Sequence, residues 1–360
     1  MRELTNRRIP RIIALVMAAA LIAVMAAARG LASPAEPALG SAEPAPARVA
    51  ASVSIAAQAN DPVIDLCATD GSLALPDSVS VPIWGFVTKP ANADCSAVAH
   101  TATLPGPVLR VDEGDAVHLN ITNGLPAGHR ISIEVPGVSF DPGTNEADMG
   151  QTVNISFTAP APGTYLYQSV GEGERQTALG LYGALIVRSQ TAGQAYDSVA
   201  SAYDVEAPLV LSAVDPAFNA SADPASSSDP SSFDMRNYQA TYWLINGKAY
   251  PDTAPIQASA GQRVLLRYVN AGFDNTTMTL LGMHQRVIAR DAQLLLNPFD
   301  ASAETLPAGE TEDTIATVPA YSVSTFPHGF ALYNRQLHLG NGAPADPATP
   351  GGMMTFIQSP

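Results

Sequence analysis

The feature that most restricts the fold of this chain is a series of short apolar runs. They are rich in β-branched and aromatic residues, and each is bounded by turn residues. The runs have the lengths of strands, and 30 prolines and 27 glycines punctuate the chain. Alternation is clearest in residues 130–135, where every second residue is apolar, as in a strand with one buried face. The sequence has no convincing pattern of a long amphipathic helix. It therefore predicts an all-β fold built from antiparallel sandwiches.

The strand-like runs fall into two similar halves. They occupy residues 78–87, 107–111, 116–121, 152–157, 163–167, 181–187, 208–212, 242–245, 262–269, 286–289 and 314–317. The turn-and-strand pattern of residues 113–120 recurs at residues 260–270, which indicates a duplicated sandwich. We expect a first domain over residues 61–190, a connection over residues 191–207 and a second domain over residues 208–360. The Ser-, Asp-, Ala- and Pro-rich segment 219–232 is expected to be a long surface loop.

The N-terminal residues have the pattern of an export signal. Four arginines within residues 2–11 precede the apolar run 12–28, and small residues at 30 and 32 provide a cleavage site before Ser33. We expect a signal peptide over residues 1–32, followed by an Ala/Pro-rich linker over residues 33–60. The expected location is the periplasm, the cell envelope or the medium, with membrane attachment if the signal stays uncleaved.

Charge and cysteine content restrict the partners and the compartment. Lys and Arg number 18 against 33 Asp and Glu, so the formal net charge is -15, which excludes a nucleic-acid partner. In an exported protein, Cys67 and Cys95 are expected to form a disulfide that stabilises the fold by roughly 3 kcal/mol. The alternative, a copper-binding thiolate, is weakened because both cysteines precede the segments described next. The partner is unknown, and a homo-oligomer is one expectation.

Several segments resemble multicopper oxidases. Residues 104–115, 162–167 and 180–187 are similar to first-domain segments of that family, and residues 246–252, 270–272, 287–291, 307–313 and 351–357 are similar to second-domain segments. Together they cover most of residues 62–358. The resemblance, to the two-domain bacterial type, implies two tandem cupredoxin-like (plastocyanin-like) Greek-key β-sandwiches, which in this family hold copper between loops.

The family's copper-ligand motifs are degenerate in this chain. Positions where the resemblance implies histidine ligands carry other residue types, namely Ser132, Glu134, Gln168, Val170, Thr276, Thr279 and Leu281. The fourth motif aligns with residues 332–338 and keeps only His338, with Met353 or Met354 as a counterpart of the axial methionine. A blue-copper centre needs a thiolate and two imidazoles. We therefore expect no copper cofactor, no catalytic residue and no oxidase chemistry.

The main hypothesis is an exported, non-catalytic binding or structural protein of the envelope or the extracellular space. The first alternative is a copper-dependent oxidoreductase with a rearranged site around His284, His338 and Met353. The second alternative is a protein that stores or weakly binds copper through Met and His. Under the main hypothesis, we expect Leu281 to fill part of a former copper cavity, His129 to face solvent and residues 172–175 to form a solvated turn.

Overall fold

The computed structural model describes residues 60–322, 324–342 and 350–360. The predicted signal peptide and linker lie outside these residues, apart from Asn60. The predicted all-β architecture is confirmed: two β-sandwiches follow one another along the chain. Among the described residues, no helix has the length and hydropathy to span a bilayer.

The first sandwich contains nine strands. They are β1 (Val63–Ala74), β2 (Ser80–Thr88), β3 (Leu109–Asp112), β4 (Ala116–Asn123), β5 (Ile131–Glu134), β6 (Glu146–Ala147), β7 (Thr152–Thr158), β8 (Gly163–Ser169) and β9 (Tyr182–Arg188). One sheet has the strand order β2-β1-β4-β7 and the other has the order β3-β9-β8-β5-β6. A short helix, α1 (Arg175–Leu179), lies between β8 and β9.

The second sandwich contains eleven strands. They are β10 (Val205–Val214), β11 (Tyr242–Ile245), β12 (Ile256–Gln257), β13 (Arg263–Asn270), β14 (Thr276–Leu280), β15 (Gln285–Arg290), β16 (Gln293–Ala301), β17 (Ala303–Leu306), β18 (Thr311–Thr317), β19 (Phe330–Asn334) and β20 (Met354–Gln358). The sheets have the orders β11-β10-β13-β18-β15-β16 and β12-β20-β19-β14-β17. β10 begins at Val205, inside the segment predicted to be the interdomain connection.

The two sandwiches repeat one topology. β1 pairs with β2 antiparallel and with β4 parallel, and β10 pairs in the same way with β11 and β13. In the other sheets, β5 and β8 of the first sandwich correspond to β14 and β19 of the second. This correspondence matters for function because the family resemblance places the copper-ligand positions on these four strands or directly after them.

Each sandwich has its own apolar core, and a third cluster joins the two. The joining cluster includes Ile83 and Leu166 from the first sandwich with Val210 and Leu244 from the second, all at 3% exposure or less. The predicted disulfide between Cys67 and Cys95 is confirmed. It ties β1 to the short helical turn at residues 95–98.

The segment predicted to be a long surface loop is partly buried. It begins within α2 (Pro216–Asn219), and Phe218 and Ala222 belong to the core of the first sandwich. Asn219 is fully buried and donates its side-chain N–H to the carbonyl of Pro82. Residues 223–229 are largely exposed, as the loop prediction has it. The start of the segment departs from the prediction because Phe218, Phe233 and Tyr238, which flank the polar stretch, pack together over the first sandwich.

Candidate functional site

The four ligand-equivalent positions of the first sandwich lie next to one another on β5 and at the end of β8. Glu134 pairs directly with Gln168 across the two strands, and the Val170 amide donates to the Ser132 carbonyl at 2.8 Å. All four side chains are at least partly exposed and alternate with the buried Ile133 and Ser169. The structure therefore brings these four residues together on the face of the sheet that points away from the core.

The ligand-equivalent positions of the second sandwich lie on β14 or just after it. Thr276 and Thr279 are buried, and both hydroxyls donate to backbone carbonyls, that of Thr279 to Ser302 at 2.7 Å and that of Thr276 to Asp274 at 3.4 Å. The expectation that Leu281 fills a former copper cavity was wrong, because 57% of this residue is exposed. β14 ends at Leu280, so Leu281 starts a turn and its side chain leaves the sheet.

His338 and Met353 are neighbours, and His284 lies elsewhere. The Met353 amide donates to the His338 carbonyl at 3.0 Å, and the His338 ring stacks on Trp243 at 4.2 Å. His338 lies beyond the Thr276 end of β14, where burial lowers its pKa and the Asp274 charge opposes that shift. His284 is exposed and follows the other end of β14. Five strand residues span about 15 Å, so the structure does not bring the two histidines together.

A buried polar cluster behind β5 and β8 was missed by the sequence analysis. It consists of His129, Ser169, Glu172 and Gln176, and we call it the first-domain polar cluster. The Ser169 hydroxyl donates to the Gln176 amide oxygen at 2.7 Å, and Gln176 donates to the Arg130 carbonyl at 2.9 Å. Gln176 and Ser169 are fully buried. Gln176 also contacts a Glu172 carboxylate oxygen at 3.4 Å, which links the amide to the histidine.

His129 is buried, so the expectation that it faces solvent was wrong. Its Nδ1 lies 2.7 Å from a Glu172 carboxylate oxygen, and its ring packs 4.6 Å from the ring of Trp84. The hydrogen bond to Glu172 raises the pKa of His129, and partial burial opposes this shift. A histidine followed by an alternating strand gave no signal of burial, because the loop and turn that cover it come from distant parts of the chain.

The turn at residues 172–174, expected to be solvated, has a constrained backbone. Glu172, Gly173 and Glu174 all have positive φ angles, of 60°, 65° and 66°. Non-glycine residues with positive φ on both sides of a glycine are uncommon and store strain. The two glutamates therefore point in different directions. Glu172 turns inward to His129, and Glu174 remains exposed.

The segment between α2 and β11, residues 220–241, covers the first-domain polar cluster, and we call it the covering segment. The Arg175 guanidinium donates two hydrogen bonds to the Phe233 carbonyl, at 2.7 and 3.1 Å, and the Phe233 ring packs on Phe218. Beneath this cover, Trp84 Nε1 and Glu172 Oε2 are buried without a hydrogen-bond partner among the described residues. The cover leaves the His129 and Glu172 side chains only 9% and 16% exposed.

The donor set at these positions does not fit a copper centre. Hydroxyl and amide groups are poor copper ligands, Leu and Val offer no donor atom, and the single carboxylate, that of Glu134, suits harder cations. Both cysteines form the disulfide, so neither supplies a thiolate. Within the described residues, no group of three or more His, Cys, Asp or Glu side chains is arranged to hold a metal ion.

Comparison with known proteins connects this frame to one family. Residues 87–192 match the family model described as multicopper oxidase. Over this segment the chain is similar to multicopper oxidases. A multicopper oxidase of Mycobacterium tuberculosis is 24% identical over 299 residues, which cover 72% of this chain and 57% of the relative. Laccase-3 of Oryza sativa is 25% identical over 229 residues, which cover 60% of this chain and 39% of the relative. The matched part thus spans about half the length of these relatives or less.

Solved structures of copper proteins share the fold. A blue copper oxidase from Nitrosomonas europaea superposes with a TM-score of 0.65 at 20% identity, covering 82% of this chain and 85% of that chain. A copper nitrite reductase from Nitrosomonas europaea gives a TM-score of 0.63 at 20% identity, covering 84% and 94%. At this identity the likeness establishes the cupredoxin fold in both sandwiches.

Proposed function

We propose that this chain is an exported multicopper-oxidase-like protein that works without copper clusters, as a non-catalytic binding or structural protein of the cell envelope or the extracellular space. The observation that supports this most is the chemistry at the ligand-equivalent positions. At Ser132, Gln168, Thr276 and Thr279 the side chains are neutral hydroxyls or an amide, in places where the family uses imidazoles. Electron transfer from a substrate to oxygen needs several copper ions held together, and these groups are poor ligands for them.

Local hydrogen bonding supports the same proposal. Thr276 and Thr279 donate to nearby carbonyls. Gln176 and Ser169 bond to each other beside the first pair of strands. Buried polar groups are stable in a protein interior when they are paired in this way. These four side chains are paired within the protein and need no metal ion to satisfy them.

The test is metal analysis of the purified full-length or processed protein after incubation with Cu²⁺ and removal of excess ion. We expect less than one tightly bound copper per chain, no intense thiolate-to-copper absorption band and no oxygen consumption with phenols or Cu⁺. A chelator should leave the melting temperature unchanged. Stoichiometric copper together with oxygen-dependent oxidation would refute the proposal.

A single substitution tests whether the chain lacks only one copper ligand or most of the copper site. Leu281→His restores one imidazole at a ligand-equivalent position that is exposed and therefore free to accept it. We expect Leu281→His to bind no more copper than the parent protein, because several further ligands are absent. Strong copper binding by this single variant would show that a nearly complete site exists.

The alternative of a copper-dependent oxidoreductase has one observation in its favour. His338 and Met353 are adjacent in the structure, and both types of side chain bind copper. Met353 is 2% exposed in the core of the second sandwich, and the Asn334 amide lies 3.8 Å from its sulfur. A drop of several degrees in melting temperature with chelator, abolished in His338→Gln, would support this alternative over the main proposal.

A further inference from the structure

A cavity of about 330 Å³ lies where the two sandwiches and the covering segment meet. We call it the junction pocket. Its wall is formed by Glu174 from the strained turn after β8, by Met235 and Tyr238 from the covering segment, and by Phe273 and Asp274 from the segment before β14. Its volume is within the range of sites that take small organic molecules. Three separate parts of the chain therefore converge on one ligand-sized space.

The aromatic wall of the junction pocket is held in place. The Tyr238 hydroxyl donates to the Ala213 carbonyl at 2.9 Å, and its ring makes T-shaped contacts with the rings of Phe218 and Phe273, at 5.8 and 5.6 Å. Phe273 is an apolar side chain left 37% exposed. A fixed ring beside an exposed one offers an apolar surface that needs little rearrangement to receive a ligand.

Two carboxylates at the junction pocket lack a cationic partner. Neither Glu174 nor Asp274 forms a salt bridge within the described part of the chain. Nearby cations are already engaged, since Arg175 donates to the Phe233 carbonyl and Arg236 pairs with Asp234 at 2.6 Å. Burial raises the pKa of Tyr238 and the Asp274 charge adds to that shift, whereas at His338 the same charge opposes the lowering of the pKa by burial.

The backbone around these carboxylates fixes their position. The buried Asn270 side chain donates to the Asp274 carbonyl at 2.9 Å, and Thr276 donates to the same oxygen. The Asp274 carboxylate is left exposed. On the opposite wall, the left-handed backbone of Glu174 holds its side chain outside the first-domain polar cluster. Both anionic groups are thus held on pre-formed segments.

We infer that the junction pocket binds a small organic cation, an amine or quaternary ammonium with an apolar body. Aromatic rings attract a cation through their electron-rich faces, and the effect is larger when carboxylates add to it. The apolar part of such a molecule is matched by Met235 and Phe273. The inference rests on the binding role proposed above and names the class of ligand for it.

The experiment is isothermal titration calorimetry of the full chain with benzyltrimethylammonium, benzyl alcohol and benzoate. We expect saturable one-to-one binding of the cation, at least tenfold weaker binding of the neutral alcohol and none of benzoate. Raising the ionic strength should weaken cation binding, because part of the attraction is electrostatic. Equal affinity for the cation and the alcohol, or no salt dependence, would overturn the inference using the unaltered protein alone.

Matched variants locate the binding. Asp274→Asn should weaken binding of benzyltrimethylammonium about fivefold, and Phe273→Ala should weaken it by a similar factor. Asp300→Asn removes the same charge from an exposed carboxylate paired with Arg286, outside the pocket, and should leave affinity unchanged. An effect of Asp300→Asn equal to that of Asp274→Asn would mean that net charge, rather than the pocket, attracts the cation.

The copper measurements distinguish failure of this inference from failure of the proposed function. Absence of both copper and cation binding would overturn the junction-pocket inference and leave the copper-free proposal intact. Stoichiometric copper with oxidase activity would overturn the proposed function, whereas cation binding that depends on Asp274 and Phe273 would still support a ligand site at the junction pocket.

Discussion

His129 and Glu172 form a nearly buried, charge-assisted hydrogen bond of 2.7 Å. The bond raises the pKa of His129 above its usual 6.5. The folded protein therefore holds this proton more tightly than the unfolded chain does. Its contribution to stability is fully present below pH 6.5 and is lost as the pH rises through the raised pKa.

We predict that Glu172→Gln lowers the free energy of unfolding by about 1–2 kcal/mol at pH 5.5, because the amide cannot stabilise the imidazolium charge. The difference from the parent protein should shrink above pH 8. Urea unfolding at several pH values measures it. Asp70→Asn, at the exposed pair with His100, is the control and should cost less than about 0.5 kcal/mol. A difference independent of pH would contradict the assigned ionisation.

At the residue scale, sequence predicted the disulfide but not the environment of single side chains. Two cysteines in an exported chain leave one pairing, and the structure has it. The burial of His129 depends on the turn at 172–174 and on the covering segment, which are 40 or more residues away. The exposure of Leu281 depends on β14 ending one residue earlier. The local sequence pattern indicates neither packing against distant segments nor the residue at which a strand ends.

At the scale of elements, strands with clear alternation were predicted and irregular ones were not. The predicted strand at residues 242–245 coincides with β11, and those at 152–157 and 163–167 differ from β7 and β8 by one or two residues. β1 was missed because Asp65, Asp70 and Gly71 interrupt its apolar pattern. β16 was missed because both of its faces are largely exposed and it contains Pro298, so burial imposes no alternation on it.

The fully buried Gln176 of α1 bonds to Ser169 at the end of β8, to the Arg130 carbonyl just before β5 and to the Glu172 carboxylate in the turn between β8 and α1. We predict that Gln176→Leu lowers the free energy of unfolding by about 2–3 kcal/mol, because it leaves the Arg130 carbonyl and part of the Ser169 hydroxyl unpaired inside the protein.

Chemical denaturation, with circular dichroism to confirm the fold, measures the effect of Gln176→Leu. Thr144→Val is the control, since its hydroxyl bonds only to exposed backbone groups of Glu146 and should contribute less than about 1 kcal/mol. A loss for Gln176→Leu no larger than that of the control would mean that the cluster adds nothing to the stability of the first sandwich.

At the scale of the whole molecule, the sequence predicted two sandwiches but gave no indication of how they meet. The contact is apolar in one part and ionic in another. In the ionic part, the buried Arg267 of β13 donates to the Asp313 carboxylate of β18 at 2.9 Å and to the Thr164 hydroxyl of β8 at 3.1 Å. This contact is formed by single polar residues on separate strands of both sandwiches. Their spacing in the sequence has no pattern from which the contact could be predicted.

The Asp313 carboxylate is the centre of this network. It accepts hydrogen bonds from the hydroxyls of Thr164 and Tyr196, each at 2.6 Å, and from Arg267. Arg267 and Asp313 are each 1% exposed. Removing the cation would leave a carboxylate buried with neutral donors, and an unpaired buried charge of this kind is strongly destabilising.

We therefore predict that Arg267→Met lowers the free energy of unfolding by about 3–5 kcal/mol, as measured by urea denaturation. Arg188→Met, which breaks a half-exposed pair with Asp112, is the matched control and should cost less than about 1 kcal/mol. The double variant Arg267→Met/Asp313→Asn should recover part of the loss, because neither charge of this pair then remains buried, and the Glu206 carboxylate, which Arg267 also binds, keeps Arg110 at 3.4 Å. If the double variant were less stable than Arg267→Met alone, the hydrogen bonds of Asp313 to Thr164 and Tyr196, rather than its pairing with Arg267, would join the sandwiches.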